Sequence, residues 1–413
     1  MPSTLPKGDP PPADGRLPRR ALDSAANSPF GVYVHIPFCR TRCGYCDFNT
    51  YTATELGDGG VGPGTYADIL LQELRLAADV MTDGDVLGDR VPPVSTIFFG
   101  GGTPTLLPAE HLGLVIREIG NAFGLAPDVE ITTEANPETV TPAYFDRLRA
   151  AGFTRVSIGM QSAVPRVLEV LDRQHRPGRP EEAVAEAKAA GFEHINLDLI
   201  YGAPYETDAD WSASLYAAIA AEPDHISAYA LVVEEGTALA RQVANGIVPA
   251  PEDDVLADRY VMADELLGKV GYEWYEVSNW ALDDSARCRH NELYWTDASW
   301  WGLGPGAHSH VGGVRWWNVK HPARYAALLE AGRSPAAGRE SLDDDARFTE
   351  RVMLGIRRRE GLTLDELPAP SQRAVPQLAT WGLVDHESVG AGRVVLTQRG
   401  RLLADAVVRE LLG

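Results

Sequence analysis

The 413-residue sequence predicts an α/β fold: a parallel sheet, open or rolled into a partial barrel, followed by a small α+β domain. Three observations carry this reading. Short runs of β-branched and apolar residues alternate six times with helix-like stretches. The composition, 45% hydrophobic and 23% charged, is that of a globular chain. The formal charge of −21 is unevenly spread, because residues 331–413 hold 12 basic and 12 acidic residues. That neutral segment reads as a separate unit beside an acidic one.

Residues 1–29 contain seven prolines and no hydrophobic period, which predicts a disordered Pro-rich tail. Arg16, Arg19 and Arg20 are followed by no apolar segment, so a secretory signal is not expected and a cytoplasmic location is. Residues 30–270 hold the alternating pattern. The expected strands are Gly31–Ile36, Val94–Phe99, Val129–Glu134, Arg155–Met160, His194–Ile200 and His225–Leu231. Tyr66–Val80 and Phe145–Ala151 have helical spacing. In such folds the functional residues lie just past the C-terminal ends of the strands.

Residues 271–330 carry seven of the nine tryptophans together with His290, His308, His310 and His321, and are expected to complete the sheet. Residues 331–413 show helical patterns at Ala346–Arg358, Gln372–Trp381 and Arg399–Leu412 around a β-like Arg393–Thr397, which resembles a winged helix. Nucleic acid is excluded as a partner by charge: the domain is neutral and residues 30–330 sum to −22. The domain reads as a lid or partner-docking module, and the run Arg357–Arg359 as a solvated charge run. No apolar run approaches a membrane span, which leaves only peripheral membrane association open.

Four cysteines in a chain this long are no disulfide scaffold. Three of them fall within eight positions after the first strand, as Cys39-x3-Cys43-x2-Cys46. Three soft thiolates suit an iron–sulfur cluster or zinc, the latter with His35 as a further ligand. Three unligated thiols is the plain alternative. A [4Fe–4S] cluster held by three cysteines keeps one iron open to a small molecule bearing an amine and a carboxylate.

His35-Ile36-Pro37-Phe38-Cys39 and the cysteine spacing resemble the radical S-adenosylmethionine (SAM) superfamily, in its oxygen-independent coproporphyrinogen oxidase branch. So do Gly100-Gly101-Gly102-Thr103-Pro104-Thr105, Glu134-Ala135-Asn136-Pro137, Ser157–Ser162 and Asn196–Gly202. The resemblance spans about residues 31–320. It implies a partial (β/α)6 barrel, a [4Fe–4S] cluster on Cys39, Cys43 and Cys46, and bound SAM. Gly101, Gly102 and Thr103 would meet the methionine amino end. Glu134 would receive the ammonium or ribose hydroxyls, and Gln161, Arg173 and Asp198 the nucleoside or carboxylate. Tyr33 and Tyr45 match cluster-side positions. Cleavage of SAM would need an external electron donor.

Two activities share this core: an oxidase that decarboxylates coproporphyrinogen III, and a heme chaperone that loads heme-accepting proteins. The oxidase-type loop has a further cysteine where this chain has Phe48, and a longer N-terminal arm. His290-Asn291-Glu292-Leu293-Tyr294-Trp295 matches the H-N-x-x-Y-W pattern of the chaperones. The resemblance therefore implies heme, with His290 as axial ligand and Tyr294, Trp295, Trp300 and Trp301 as an aromatic wall. Cys288, His308 and His310 are the rival ligands.

Overall fold

The computed structural model describes residues 5–57, 60–82 and 91–413; residues 1–4 of the expected tail lie outside these. The strands are β1 (Phe30–Ile36), β2 (Val94–Gly101), β3 (Leu125–Ala135), β4 (Arg155–Gln161), β5 (His194–Tyr201) and β6 (His225–Ala230). They continue as β7 (Glu273–Glu276), β8 (Asn279–Ala281), β9 (Ser299–Leu303), β10 (His308–Val311), β11 (Val314–Asn318) and β12 (Ala336–Ser341). Two short strands, β13 (Leu362–Thr363) and β14 (Arg393–Val394), pair in the C-terminal region.

The first twelve strands form one sheet in the order β12-β11-β10-β9-β1-β2-β3-β4-β5-β6-β8-β7. β1 to β6 are parallel neighbours in sequence order. β9 joins them in parallel on the far side of β1, with Phe30 opposite Ser299. β10, β11 and β12 extend that edge antiparallel, and β8 and β7 extend the other. β12 and β7 are the sheet's two ends and do not pair, so the barrel is partial.

Alternation along each strand sorts the side chains onto two faces. Val32, Val34, Ile97, Phe99, Val156 and Leu197 are buried with the apolar faces of the crossover helices, such as Tyr66–Thr82 and Ala109–Phe123. Each such side chain contributes about 1.5–3 kcal/mol through burial. The opposite positions, among them Tyr33, Thr132, Ser157, Asn196 and Ser227, line one interior chamber. Glu73 ties the first crossover helix to the end of β9: it accepts the Gly304 N–H at 2.8 Å and the Asn318 side-chain amide at 2.7 Å. The Gly-rich stretch at 302–306 thus closes against β1.

The N-terminal segment departs from expectation. Residues 19–25 form a helix whose Ala21, Leu22 and Ala25 are buried in the main core. Asp9 exchanges backbone hydrogen bonds with Arg339 of β12 at 2.8 and 3.0 Å, and Ala13 accepts from Ser334 at 2.8 Å. Proline is tolerated along a sheet edge, where a missing N–H costs little. A segment this short shows no period of its own, and its order comes from the edge it covers.

The C-terminal region has its own core, including Val352, Ile356, Val375, Leu378 and Val407. The expected last helix is broken at Leu403 into Gln398–Leu402 and Ala404–Leu412, and the expected strand narrows to β14. The arginine run is not free in solvent. Arg358 pairs with Glu292 at 3.7 Å, Arg359 with Glu273, and Arg357 with Asp405. Arg287 to Glu360 at 2.7 Å and Arg401 to Asp264 at 2.6 Å join the region to the turn before Arg289–Trp295 and to the helix Asp253–Lys269.

Because Leu22 is buried against the barrel, Leu22→Ala should lower unfolding free energy by about 2 kcal/mol. Urea denaturation measures this, and a disordered tail would show no change.

Candidate cofactor site

The cysteine loop leaves the C-terminal end of β1 and is pinned at both sides. Cys39 N–H donates to Tyr51 O at 3.0 Å, Tyr51 N–H to Pro37 O at 2.7 Å, and Gly44 N–H to Leu171 O at 3.2 Å. The Thr103 hydroxyl donates to Cys39 Sγ and the Arg173 guanidinium to Cys43 Sγ, both at 3.8 Å. Burial pushes the Cys39 thiol up and the Cys46 thiol to about 11. Among the described residues no three His, Cys, Asp or Glu side chains stand converged as a metal cage. The three thiols instead rim one cavity of about 590 Å³ at the C-terminal ends of the strands.

That cavity gathers most of the residues the sequence singled out. Tyr45, Gly101, Gly102, Thr103, Glu134, Gln161, Arg173 and Asp198 all line it with Cys39, Cys43 and Cys46. The glycines have a local reason. Gly101 has φ 109°, and a Cβ there would strike the His35 ring. A Cβ at Gly102 would meet the Phe38 and Ile36 carbonyl oxygens.

The electrostatics are those of a site awaiting a partner. Glu134 Oε2 accepts the Gly101 N–H at 3.0 Å, yet burial and the neighbouring Asp198 push its carboxyl up to about 8. Asp198 accepts from Ser157 at 2.6 Å and Asn196 at 2.8 Å, and burial raises its pKa as well. Gln161 sits at φ 58°, in left-handed backbone, and its buried Oε1 has no partner among the described residues. Arg173 is held by the Gly159 carbonyl at 3.0 Å and His175 Nδ1 at 3.3 Å. Two buried carboxylates, an unpartnered amide oxygen and a fixed guanidinium suit a ligand with an ammonium, hydroxyls and a carboxylate.

A second space of about 350 Å³ lies against the first, sharing Glu134, Ser157, Asp198, Phe48 and Tyr229. Tyr33, expected beside the cluster, walls this chamber and meets His35 Nδ1 through its hydroxyl at 2.9 Å. Phe48, where the oxidase pattern has a cysteine, borders both spaces and is 48% exposed.

His290 does not stand ready as an iron ligand. It is 1% exposed, with Nδ1 2.7 Å from Thr96 Oγ1 and Nε2 3.0 Å from the Tyr294 hydroxyl. Its ring stacks on Phe98 at 5.3 Å, and burial lowers its pKa to about 3. The motif folds as the short helix Arg289–Trp295, whose first N–H groups donate to Glu130 of β3 at 3.2 and 3.1 Å. The helix closes the chamber floor, and packing there engages both ring nitrogens. Cys288 is buried beside Glu130, and the His310 Nδ1–H donates to Ala298 O at 2.8 Å. Of the expected aromatic wall, Tyr294 and Trp300 meet edge to face at 4.7 Å in the chamber, while Trp301 packs against Trp316 in the main core.

Thr132, Arg155 and His225 also line the chamber and were not singled out from the sequence. Strand parity carried the signal: each is an even number of positions from a site residue on its own strand or shares its register.

The geometry agrees with three comparisons. Residues 33–215 match the Radical SAM superfamily. Heme chaperone HemW of Mycobacterium tuberculosis (strain ATCC 25618 / H37Rv) is 53% identical over 385 residues, covering 93% of this chain and 95% of that one. Heme chaperone HemW of Bacillus subtilis (strain 168) is 30% identical over 391 residues, covering 92% and 99%. Coproporphyrinogen III oxidase (HemN) from Escherichia coli, described as a radical SAM enzyme, superposes with a TM-score of 0.78 at 23% identity over 97% and 94% of the two chains, a likeness of fold. The chain therefore belongs to the radical SAM superfamily. Within it, it is a member of the HemW family.

A carboxyl whose pKa rises from the ordinary value to about 8 on folding binds its proton more tightly in the folded state. Its contribution to stability is therefore lost as pH rises through that window. The unliganded protein should become less stable from about pH 5 to pH 8, and Glu134→Gln should flatten the slope. Urea midpoints of both proteins across that range test it; parallel profiles would refute it.

Proposed function

We propose that this protein is a heme chaperone of the HemW type, which holds a [4Fe–4S] cluster and SAM and delivers heme to acceptor proteins. The observation that carries the reading is 53% identity, over nearly the full length of both chains, to a heme chaperone HemW. Phe48 supports it, because the oxidase resemblance calls for a cysteine at that place. No described helix is long and apolar enough to cross a membrane, and the thiols fit a reducing compartment such as the cytoplasm.

Cys39, Cys43 and Cys46 supply three thiolates at the cavity rim, which suits a cluster with one iron left to a ligand. Arg173 would offer a planar fork to the SAM carboxylate. Glu134 and Asp198 would accept hydrogen bonds from its ammonium and ribose hydroxyls, and Gln161 would use its free amide oxygen. Gly101, Gly102 and Thr103 let main chain approach the methionine end. Tyr45 covers the cluster side. When bound and reduced by a donor protein, the cluster can supply one electron to the SAM sulfonium; the chain's own part is to bind, orient and exclude water.

Cys43→Ser should lose most of the iron and sulfide that the wild type retains after anaerobic reconstitution; full retention would refute the cluster assignment. Incubation with coproporphyrinogen III, SAM and reductant should give no protoporphyrinogen, while heme-loaded protein should pass heme to an apo-acceptor. Protoporphyrinogen formation would instead establish the oxidase.

A further inference from the structure

We infer that the axial ligand for heme is His308, on the wall of the inner chamber. This rests on the heme-chaperone reading above. Four histidines line that chamber: His35, His225, His290 and His308. His35 meets the Tyr33 hydroxyl and Asn49 O, both at 2.9 Å. His225 meets Asn196 Oδ1 at 2.6 Å and the Tyr275 hydroxyl at 2.8 Å. His290 is engaged by Thr96 and Tyr294. The buried Nε2 of His308 has no partner among the described residues.

His308 is nonetheless held in place. Its ring stacks on Trp317 at 5.9 Å with 30° between the planes, and its carbonyl accepts the Trp300 indole N–H at 3.1 Å. It pairs with Trp317 across β10 and β11. Burial lowers its pKa to about 4, so the ring is neutral near pH 7 with a lone pair available. A fixed, neutral, unengaged imidazole is what an axial iron ligand requires.

The rest of the chamber points to the same class of ligand. Arg155 Nη2 and Thr132 Oγ1 on β4 and β3 are also buried without partners among the described residues. Each such atom costs about 1–3 kcal/mol unless something meets it. Phe98, Tyr294 and Trp300 line it with aromatic side chains, and the exposed Phe48 and Tyr229 stand at the border with the outer cavity. A planar apolar ring with carboxylates and a metal that takes imidazole answers all of these at once: an iron porphyrin with its propionates. The chamber, about 350 Å³, adjoins the outer cavity, so a ring held there keeps one side open to it. A delivery protein needs its cargo held in that way, by one ligand and an open side.

The test is a hemin titration of the full chain followed through the Soret band. The wild type should show an imidazole-ligated spectrum. His308→Ala should lose it and bind about tenfold more weakly or worse, and added imidazole should restore the band. The Nε2 of His308 has no hydrogen-bond partner to lose among the described residues, and thermal melts check that the variant folds. An unchanged spectrum and affinity in His308→Ala overturns the assignment, as does a change seen with His290→Gln and not with His308→Ala. Absence of any Soret shift in the wild type would instead overturn the heme-chaperone reading itself.

Discussion

The structure depends on the parity of six consecutive parallel strands. Along each, one set of side chains meets the helices and the other meets the barrel interior. The outward set is apolar, as in Val32, Ile97, Val156 and Leu197; the inward set is polar, as in Tyr33, Thr132, Ser157 and Asn196. A slip of one residue would put the charges among the helices and the valines in the cavity. Register is therefore specified on both faces. Stability comes from the outer face, which leaves the interior free to carry unsatisfied groups.

Those unsatisfied groups define the chemistry. A (β/α)8 barrel normally fills its interior with branched apolar side chains. Here the centre holds Glu134 and Asp198, both pushed towards their neutral forms by burial. Gln161 adds strained backbone and a free oxygen at the same rim. Each is costly in an empty protein and is relieved by a ligand with matching donors. The cysteine loop lies over this rim because β1 ends there and because Tyr51, Leu171 and Leu239 pin its backbone.

The H-N-x-x-Y-W helix shows how a motif and its role can part. Its histidine is held by Thr96, Tyr294 and a stack on Phe98, while Glu130 fixes the helix start. The same helix carries Glu292, which pairs with Arg358 of the C-terminal region. One short element thus closes the chamber floor and touches the docking surface of the small domain. Ion pairs at that surface each contribute little on their own; their number and the Arg287–Glu360 contact define the orientation.

The sequence by itself determined the alternation of strands and helices, the cysteine loop after the first strand, and the glycine, carboxylate and glutamine positions around one mouth; Arg173 was reached only through the family resemblance. These were legible because strand period, spacing and strand-end placement are local properties. The order of residues 5–29, the docking of Arg358 and Arg359, the interior placement of Tyr33 and the engagement of His290 were decided by tertiary structure. Each depends on what lies opposite in space: Arg339 for Asp9, Glu292 for Arg358, Phe98 for Tyr33, and Thr96 for His290. Which histidine keeps a free nitrogen is a question of partners 2 to 194 residues away along the chain, and only the packing of the barrel answers it.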